Sequence, residues 1–479
     1  MIYLAAARRT LTPLEQFGLT TLVDLSGLLP VESLSDNVVS LSINDGASPA
    51  PGQPIRFTIE AGGLSVSRAA LAQEAAIAGA VAEQESLAED KHQRVPSQVN
   101  SLVAAGLTQA PWVDASAREF RESVLRAAES RPVRTVAPWP GGHRWAAAFT
   151  HDLDVVSYWP LFTGLRLVEL ARKGEVGQAL RSGGSAAKSL LSDPVGGGVE
   201  EILAIEREHR ITSTWFVIAG LPSVGSTVKG DVTYSVDSSA ARSILAAITQ
   251  SGHEIGLHGS FSTFVDAGVM GQERERLRRA TGSSVTGIRQ HFLRMRPGAT
   301  QRAMREAGFD YDSTFGFPDR NGFRLGVANV VGWWDHRAGR PIGLEEAPLA
   351  WMDRALSKYR GVEVASEWVD EGLELARIAQ EVEGLWVGLW HPNLTGPLGY
   401  PGAPAQFRRL VETVVSRDPY IASLANIVAW RKARRTLNAR EVSPGGIPVL
   451  QSGSAGAWEV VLEDGRGNPR ERLSWPAAA

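Results

Sequence analysis

The sequence predicts an α/β fold: a distorted seven-stranded β/α barrel with an extra N-terminal region and a small strand-rich C-terminal tail. From Arg144 onward, short apolar runs alternate with amphipathic segments, a pattern typical of strands and helices around a parallel sheet. The alternation continues for about 300 residues, which matches the size of one barrel. An open doubly wound sheet would give a similar pattern, so the sequence leaves the closure of the sheet open.

Seven apolar segments of seven to nine residues are the predicted strands. They are RWAAAFT (144–150), STWFVIAG (213–220), HEIGLHGS (253–260), VTGIRQHF (285–292), DYDSTFG (310–316), LEEAPLAWM (344–352) and LWVGLWH (385–391). Helical patterns such as 199–209, 239–252 and 273–282 lie between them and end near a glycine or a basic residue. The glycine-rich segment 174–198 lacks the spacing of a phosphate-binding loop, and we interpret it as a linker or lid.

The sequence pattern divides the 479-residue chain into three parts. Residues 1–137 form an N-terminal region to which no chemistry is assigned. Residues 138–438 form the barrel, and residues 439–479 form the tail, which is joined through the turn-forming sequence SPGG.

Composition excludes several function classes. A net charge of −3 gives no electrostatic reason to expect a nucleic acid or an anionic membrane as a partner. The chain has no cysteine, so any metal must be held by His, Asp or Glu. No run of about 20 apolar residues predicts a membrane span. The N-terminus lacks the residue order of a secretory signal, so a cytoplasmic location is the expectation.

Histidines and acids are concentrated where the predicted strands end. In a β/α barrel, functional side chains come from the C-terminal ends of the strands and the loops that follow. A buried charge is costly unless it is paired or bound to a metal, so acids at these ends indicate either a solvated loop or a site. The residues at these ends are His151, Asp152, Asp154, His258, Arg289, His291, Asp312 and His391.

Four motifs, in this order, resemble a known family: THDLD (150–154), GHEIGLHGSFS (252–262), GIRQH (287–291) and LWVGLWHP (385–392). They are similar to the polysaccharide deacetylase superfamily, the NodB-homology domain shared by chitin, chitooligosaccharide and peptidoglycan deacetylases. The resemblance covers about residues 140–435 and extends to STWFVIAG, which is similar to that family's second strand. It implies a barrel of the glycoside hydrolase/deacetylase type and the removal of an acetyl group from an N-acetylated sugar.

The resemblance also implies a metal site. Asp154 matches the metal-binding acid and His258 matches the first metal-binding histidine of the family. Four residues after His258, where the family has its second histidine, this chain has Ser262, and a hydroxyl is a poor ligand for a zinc-like ion. His291 is our candidate for the missing ligand. The implied cofactor is a divalent metal, zinc first, with cobalt, nickel and manganese as alternatives.

The remaining matched residues imply acid and base chemistry. Asp152 matches the catalytic base, and Arg289 matches the arginine that holds this carboxylate. His391 matches the histidine that acts as general acid. Asp353, after the sixth predicted strand, is a candidate to orient His391. The departure at Ser262 indicates a divergent branch of the family.

Four further residues are predicted to line a substrate groove, although packing within loops or the core would explain them equally well. They are Asp312, Phe323, Arg324 and Trp334. The predicted partner is an N-acetylated carbohydrate, and the sequence leaves protein partners unknown. Two other functions stay open: a metal-independent hydrolase of cyclic amides on the same barrel, and a non-catalytic carbohydrate-binding protein.

Overall fold

The structure is a computed structural model. It describes residues 2–3, 11–28, 30–31, 39–50, 53–60, 63–129, 133–157, 193–228, 230–355, 360–361, 364–395, 398, 400, 402–436, 458–463 and 469–475. Most of the predicted linker or lid at 174–198 lies outside these residues. Its last part, from Asp193, begins a helix, because the Asp193 side chain caps the helix and Pro194 takes the first turn.

The described strands form three sheets. They are β1 (Ile2–Tyr3), β2 (Pro30–Val31), β3 (Val39–Asn44), β4 (Thr58–Glu60), β5 (Gly63–Ser67), β6 (Val133–Val136), β7 (Ala146–Leu153), β8 (Thr214–Ile218), β9 (Glu254–Gly259), β10 (Gly287–Gln290), β11 (Tyr311–Asp312), β12 (Val331–Asp335), β13 (Arg340–Glu346), β14 (Trp351–Met352), β15 (Leu385–Leu389), β16 (Tyr420–Ile421), β17 (Trp458–Glu463) and β18 (Pro469–Trp475).

Helices cover the sheets. Those in the described part of the chain are α1 (Pro13–Ser26), α2 (Arg68–Ala78), α3 (Val81–Glu85), α4 (Ser101–Ala104), α5 (Trp112–Ala128), α6 (Pro194–Glu208), α7 (Val224–Val228), α8 (Ser239–Gln250), α9 (Ala267–Thr281), α10 (Ala299–Glu306), α11 (Ala365–Glu381), α12 (Ala403–Val415) and α13 (Leu424–Thr436).

The largest sheet has ten strands in the order β12-β13-β11-β10-β9-β8-β7-β15-β14, with β16 beside β7. Its strands pair in parallel except for β12 with β13. β13 and β14 lie near opposite edges, yet only residues 347–350 connect them. A few extended residues span at most ~3.5 Å each, so the edges must curl toward one another. The predicted α/β fold with a barrel-like sheet is confirmed.

The sheet differs from the prediction at the sixth predicted strand and in two strands that were not predicted, β12 and the short β16 beside β7. The sixth predicted strand, 344–352, is divided between β13 and β14, and Pro348, which lacks a backbone donor, lies in the break. Strand β12, with its GWWD sequence, was not predicted as a strand and forms an antiparallel edge.

Strand β7, the first strand of the barrel, holds the polar residues at its C-terminal end in a rigid position. All eight residues of β7 are buried, as expected for a parallel strand covered on both faces. Its neighbours β8 and β15 are also buried along their whole length. The polar residues at the end of β7 are therefore held in place by a rigid core.

The N-terminal residues form a sheet of their own, β1 to β5, with α1, α2 and α5 packed around a separate apolar cluster. This region also contacts the barrel: the Asp114 carboxylate accepts a hydrogen bond from the backbone N–H of Ala328 at 2.7 Å. Near the C-terminus, β17 pairs with β18 and with β6 in a third, antiparallel sheet. None of the helices in the described part of the chain has the length and hydropathy that a bilayer crossing requires.

Candidate metal centre and acid–base site

Two imidazoles converge on one carboxylate oxygen. Asp154 Oδ1 lies 3.3 Å from His258 Nε2 and 3.7 Å from His291 Nε2. One ligand atom from each of these three residues lies within 4.8 Å of the other two. Two ligands of a tetrahedral zinc-like ion, each about 2.0–2.1 Å from the metal, are about 3.4 Å apart. The spacing of the three residues therefore fits a divalent ion.

The other nitrogen of each ring fixes its orientation. His258 Nδ1 lies 2.9 Å from the carbonyl oxygen of Arg289, to which only an N–H can donate. His291 Nδ1 lies 3.1 Å from Asp231 Oδ1. Both Nε2 atoms are thus left with a lone pair that faces Asp154. Asp154 Oδ1 is itself buried and has no hydrogen-bond partner among the described residues, as expected of an oxygen built to meet an ion.

The charge of Asp154 is stabilised by its neighbours. Removal from water would raise the pKa of this carboxyl. The neighbouring imidazoles of His258, His291 and His391 outweigh that effect and hold the pKa well below its usual range. Asp154 is thus a carboxylate at neutral pH, which is the form that binds metals. Its side chain is 24% exposed, so the site opens to solvent at this residue.

Adjacent strands supply the two imidazoles. His258 lies in β9 opposite Arg289 of β10, and His291 follows β10 directly. The chain then turns sharply at Phe292, which has a left-handed φ of 59° and whose ring stacks on the His291 imidazole at 3.8 Å. Ser262, where the resemblance leads one to expect a histidine, is an exposed loop residue.

Asp152 and Arg289 form a buried ion pair beside the two imidazoles. Arg289 Nη1 donates to Asp152 Oδ1 at 2.9 Å and to Thr150 Oγ1 at 2.9 Å. Its remaining nitrogens donate to the carbonyl and the hydroxyl of Ser313, and the guanidinium lies 4.4 Å from the centre of the Phe216 ring. Because every nitrogen of Arg289 has a partner, the guanidinium is fixed and orients the Asp152 carboxylate.

His391 approaches the same carboxylate from another side. Its Nε2 lies 3.8 Å from Asp154 Oδ2, and its Nδ1 lies 2.7 Å from Asp353 Oδ1. The backbone N–H of His391 also donates to Asp353 Oδ2 at 2.6 Å. Burial alone would lower the pKa of His391, but the carboxylates of Asp353 and Asp154 raise it above its ordinary value. The expectation that Asp353 orients His391 agrees with this geometry.

The segment 231–234, which the sequence did not indicate as functional, makes hydrogen bonds around Asp154 and His291. Asp231 accepts the bond from His291 and a second one from the backbone N–H of Phe261 at 2.9 Å. Thr233 donates to the carbonyl of Asp154 at 2.7 Å. Tyr234 donates to the carbonyl of residue 153 at 2.7 Å. These residues follow no strand, so nothing in the spacing of the sequence pointed to them.

Asp312 lies in the protein interior and has no surface exposed to a substrate. It is fully buried, and its carboxylate accepts bonds from Gln301 at 3.1 Å and from the backbone N–H of Thr314 at 2.8 Å. Burial raises its pKa, and the pKa of the neighbouring Glu346 is raised well above its usual value by burial and by Asp312. The prediction that Asp312 lines a substrate groove is corrected: it is part of a buried polar network.

The other three predicted groove residues are also enclosed, because the N-terminal region covers them. Phe323 is 2% exposed, and Arg324 and Trp334 are each 3% exposed. Arg324 contacts Glu83 at 3.5 Å, and the Trp334 ring stacks on Phe17 at 5.1 Å. These residues form the contact between the N-terminal region and the barrel, which a sequence pattern could not distinguish from a groove.

His151 and His253 are structural. His151 is fully buried, with one ring nitrogen 2.8 Å from the carbonyl of Trp390 and the other 3.0 Å from Glu206. His253 also faces Glu206, at 3.7 Å. Neither ring has a nitrogen directed toward Asp154.

Solved structures offer a comparison. One protein from Mycobacterium smegmatis, named as a polysaccharide deacetylase, matches at 22% identity and a TM-score of 0.42, over 64% of this chain and 96% of its own. Another, from Pseudomonas aeruginosa, matches at 18% identity and a TM-score of 0.41, over 63% and 96%. The chain is similar to polysaccharide deacetylases. A carbohydrate esterase family 4 (CE4) pseudoenzyme from Bacillus anthracis also matches, at 10% identity and a TM-score of 0.27, over 59% and 65%.

A scan of protein-family models and a search of curated proteins give no match. At these identities and TM-scores, the likeness to polysaccharide deacetylases says nothing about substrate or reaction, which depend on the side chains of the site.

Proposed function

We propose that the protein is a metal-dependent hydrolase that removes an acetyl or similar acyl group from an N-acylated sugar. The observation that carries the proposal is the convergence of two oriented imidazoles, His258 and His291, on the buried and unpartnered oxygen of Asp154. A buried base and a buried acid lie beside this centre, Asp152 and His391. Such a combination suits the hydrolysis of an unreactive acyl bond.

Asp154, His258 and His291 would hold the divalent cation. When bound, the cation supplies a Lewis acid for the acyl oxygen and lowers the pKa of a water molecule that it contacts. One carboxylate and two imidazoles leave a position open for water or substrate, as in catalytic zinc sites. The Asp154 side chain is partly exposed, and a substrate would enter from this side.

Asp152 would take the proton from the attacking water. Its Oδ2 lies 3.6 Å from His258 Nε2, so it faces the centre, while Oδ1 is occupied by Arg289. The Arg289 pair compensates the buried charge and keeps the free oxygen directed toward the water.

His391 would give its proton to the leaving group. An amine is too basic to leave unprotonated, so amide hydrolysis needs an acid that is charged at the working pH. The pair with Asp353 raises the pKa of His391 and favours the charged ring. This feature favours an N-acyl substrate over an ester, whose leaving group needs less assistance.

The first experiment is metal analysis of the purified full-length protein. We expect about one divalent ion per chain, lost in both His258→Ala and His291→Ala, and release of acetate from N-acetylglucosamine oligomers by the loaded protein. His336→Ala is the matched control, because His336 is a partly exposed histidine that pairs with Glu85 and lies outside the centre. Metal retained in His291→Ala would show a different third ligand.

A protein that takes up no metal under any loading condition would overturn the proposal. The cyclic-amide hydrolase or the carbohydrate-binding function would then be the better explanation of the site. Sugar binding that is unaffected by Asp152→Asn, without turnover, would identify the second of these.

A further inference from the structure

A cavity lies away from the metal centre, between α1 of the N-terminal region, the β12–β13 hairpin and α13. Its volume is about 340 Å³. Small-molecule sites occupy ~300–1,000 Å³, so this cavity has the size of a small ligand site. Its apolar walls include Phe17, Val23, Leu28, Val331 and Leu344.

The charged residues at one end of the cavity are mostly paired. Asp24 accepts a hydrogen bond from Arg435 at 2.7 Å and contacts Arg431 at 2.9 Å. Glu345 pairs with Arg435 at 2.5 Å. The two carboxylates are thus offset by two guanidinium groups, Arg431 and Arg435.

A third guanidinium at the same end is left over. Arg434 lines the cavity and is 6% exposed. Its single hydrogen bond to the described residues runs from Nη1 to the carbonyl of Asp24 at 3.1 Å, and its buried Nε has no partner there. None of the described carboxylates lies within 4.0 Å of it. Burial and the nearby Arg431 lower the pKa of Arg434 to about 9, while the charges of Asp24 and Glu383 oppose this shift.

A buried cation that no described carboxylate contacts directly is unfavourable, and proteins keep such a group where a partner binds. We infer that the cavity binds a small organic monoanion, with its carboxylate on Arg434 and an apolar body against the walls. Among the described residues at this end of the cavity, three guanidinium groups meet two carboxylates, so one further negative charge would balance them. Apolar walls exclude a bare inorganic anion as the best occupant, because the remaining volume would hold only water. This site is independent of the proposed hydrolase activity.

Calorimetric titration of the full-length protein with octanoate and with 1-octanol tests the inference. The two probes have the same chain length, and one of them has a carboxylate. We expect octanoate to bind at least about tenfold more tightly than octanol, because a hydrogen bond to a charged group is worth that much or more. Arg434→Met, which keeps an unbranched apolar stem and removes the charge, should lose this preference. The matched control is Lys432→Met, which removes an exposed cation of the same helix and should bind octanoate like the unaltered protein.

A second variant guards against misfolding of Arg434→Met. Gly332 lines the cavity, and a Cβ atom added there meets no atom within 4 Å. Gly332→Ile should therefore fill the cavity, suit its strand, and abolish octanoate binding with Arg434 intact. Equal binding of octanol and octanoate, unchanged binding in Gly332→Ile, or no binding of octanoate at millimolar concentration would each overturn the inference.

Discussion

His291 Nδ1 lies 3.1 Å from Asp231 Oδ1, and this contact orients the imidazole that we propose as the third metal ligand. The same oxygen accepts a bond from the backbone N–H of Phe261, in the loop that follows β9. Asp231 therefore connects His291 to the loop that contains Ser262. Carboxylates in this position fix the tautomer of a metal-binding histidine and increase its basicity.

Replacement of Asp231 should weaken metal binding without unfolding the protein. In Asp231→Asn the hydrogen bond can persist, but the negative charge is lost, so we expect metal affinity to fall about 10- to 100-fold. Competition with a chelator measures this affinity directly. Asp237→Asn, an exposed position in the same segment, is the control. Equal affinities in the two variants would mean that Asp231 has only a structural role.

Asp152→Asn should separate metal binding from turnover. The amide cannot accept the proton from water, so kcat should fall about 10²- to 10⁴-fold. Metal content should be unchanged, because Asp152 pairs with Arg289 and is not one of the three converging ligands. Elemental analysis beside acetate release checks both statements. Loss of the ion in this variant would show that Asp152 is itself a ligand.

The pH dependence of activity should report on His391 and Asp353. His391 must be protonated to assist the leaving amine, so activity should be lost as pH rises through its pKa. Burial lowers this pKa, but the Asp353 and Asp154 carboxylates raise it above the ordinary value. Asp353→Asn removes one of these carboxylates, so the alkaline limb of kcat/KM should move to lower pH. If activity falls equally at every pH and the alkaline limb of kcat/KM does not move, the substitution has instead caused a packing defect.

Glu74 should make the N-terminal region less stable as pH rises. Burial raises the pKa of Glu74 to about 8, against hydrogen bonds from Ser116 and Trp112 that lower it. Between pH 4.5 and about 8, the folded state keeps a proton that the unfolded chain has lost, so the free energy of unfolding falls as pH rises through this range. Above pH 8 the loss levels off, at an upper limit of about 5 kcal/mol.

Glu74→Gln keeps a neutral acceptor for the two donors and removes the titration. Its stability relative to the unaltered protein should increase between pH 5 and pH 8, as measured by urea unfolding followed by circular dichroism. Parallel stability curves for the two proteins across this range would contradict the buried-acid interpretation.

Strand positions and most site residues could be predicted from the sequence because they depend on local pattern. β7, β8 and β15 are apolar runs, and the polar residues that follow such runs must meet at one edge of a parallel sheet. Asp152 and His258 were found in this way. The break at Pro348 was a local signal as well, but the apolar residues on either side of it were read as one strand.

Other features depend on contacts between distant segments and have no local signal. Asp231 lies in a loop, and its role follows only from the path that brings it to His291, 60 residues away. Arg324 and Trp334 were assigned to an open groove because nothing in their neighbourhood reveals that residues 17 and 83 cover them. The N-terminal region, which carried no motif, decides what is accessible on that side of the barrel.

The facing positions of His258 and Arg289 in β9 and β10 have a consequence for how this chain tolerates insertions and deletions. A shift of one residue between two strands moves every side chain to the opposite face. One deleted codon within β10 would therefore turn Arg289 away from Asp152 and carry His291 out of reach of Asp154 together. Related proteins could therefore vary the length of the loop between these strands. Selection would remove an insertion or deletion of one residue inside either strand.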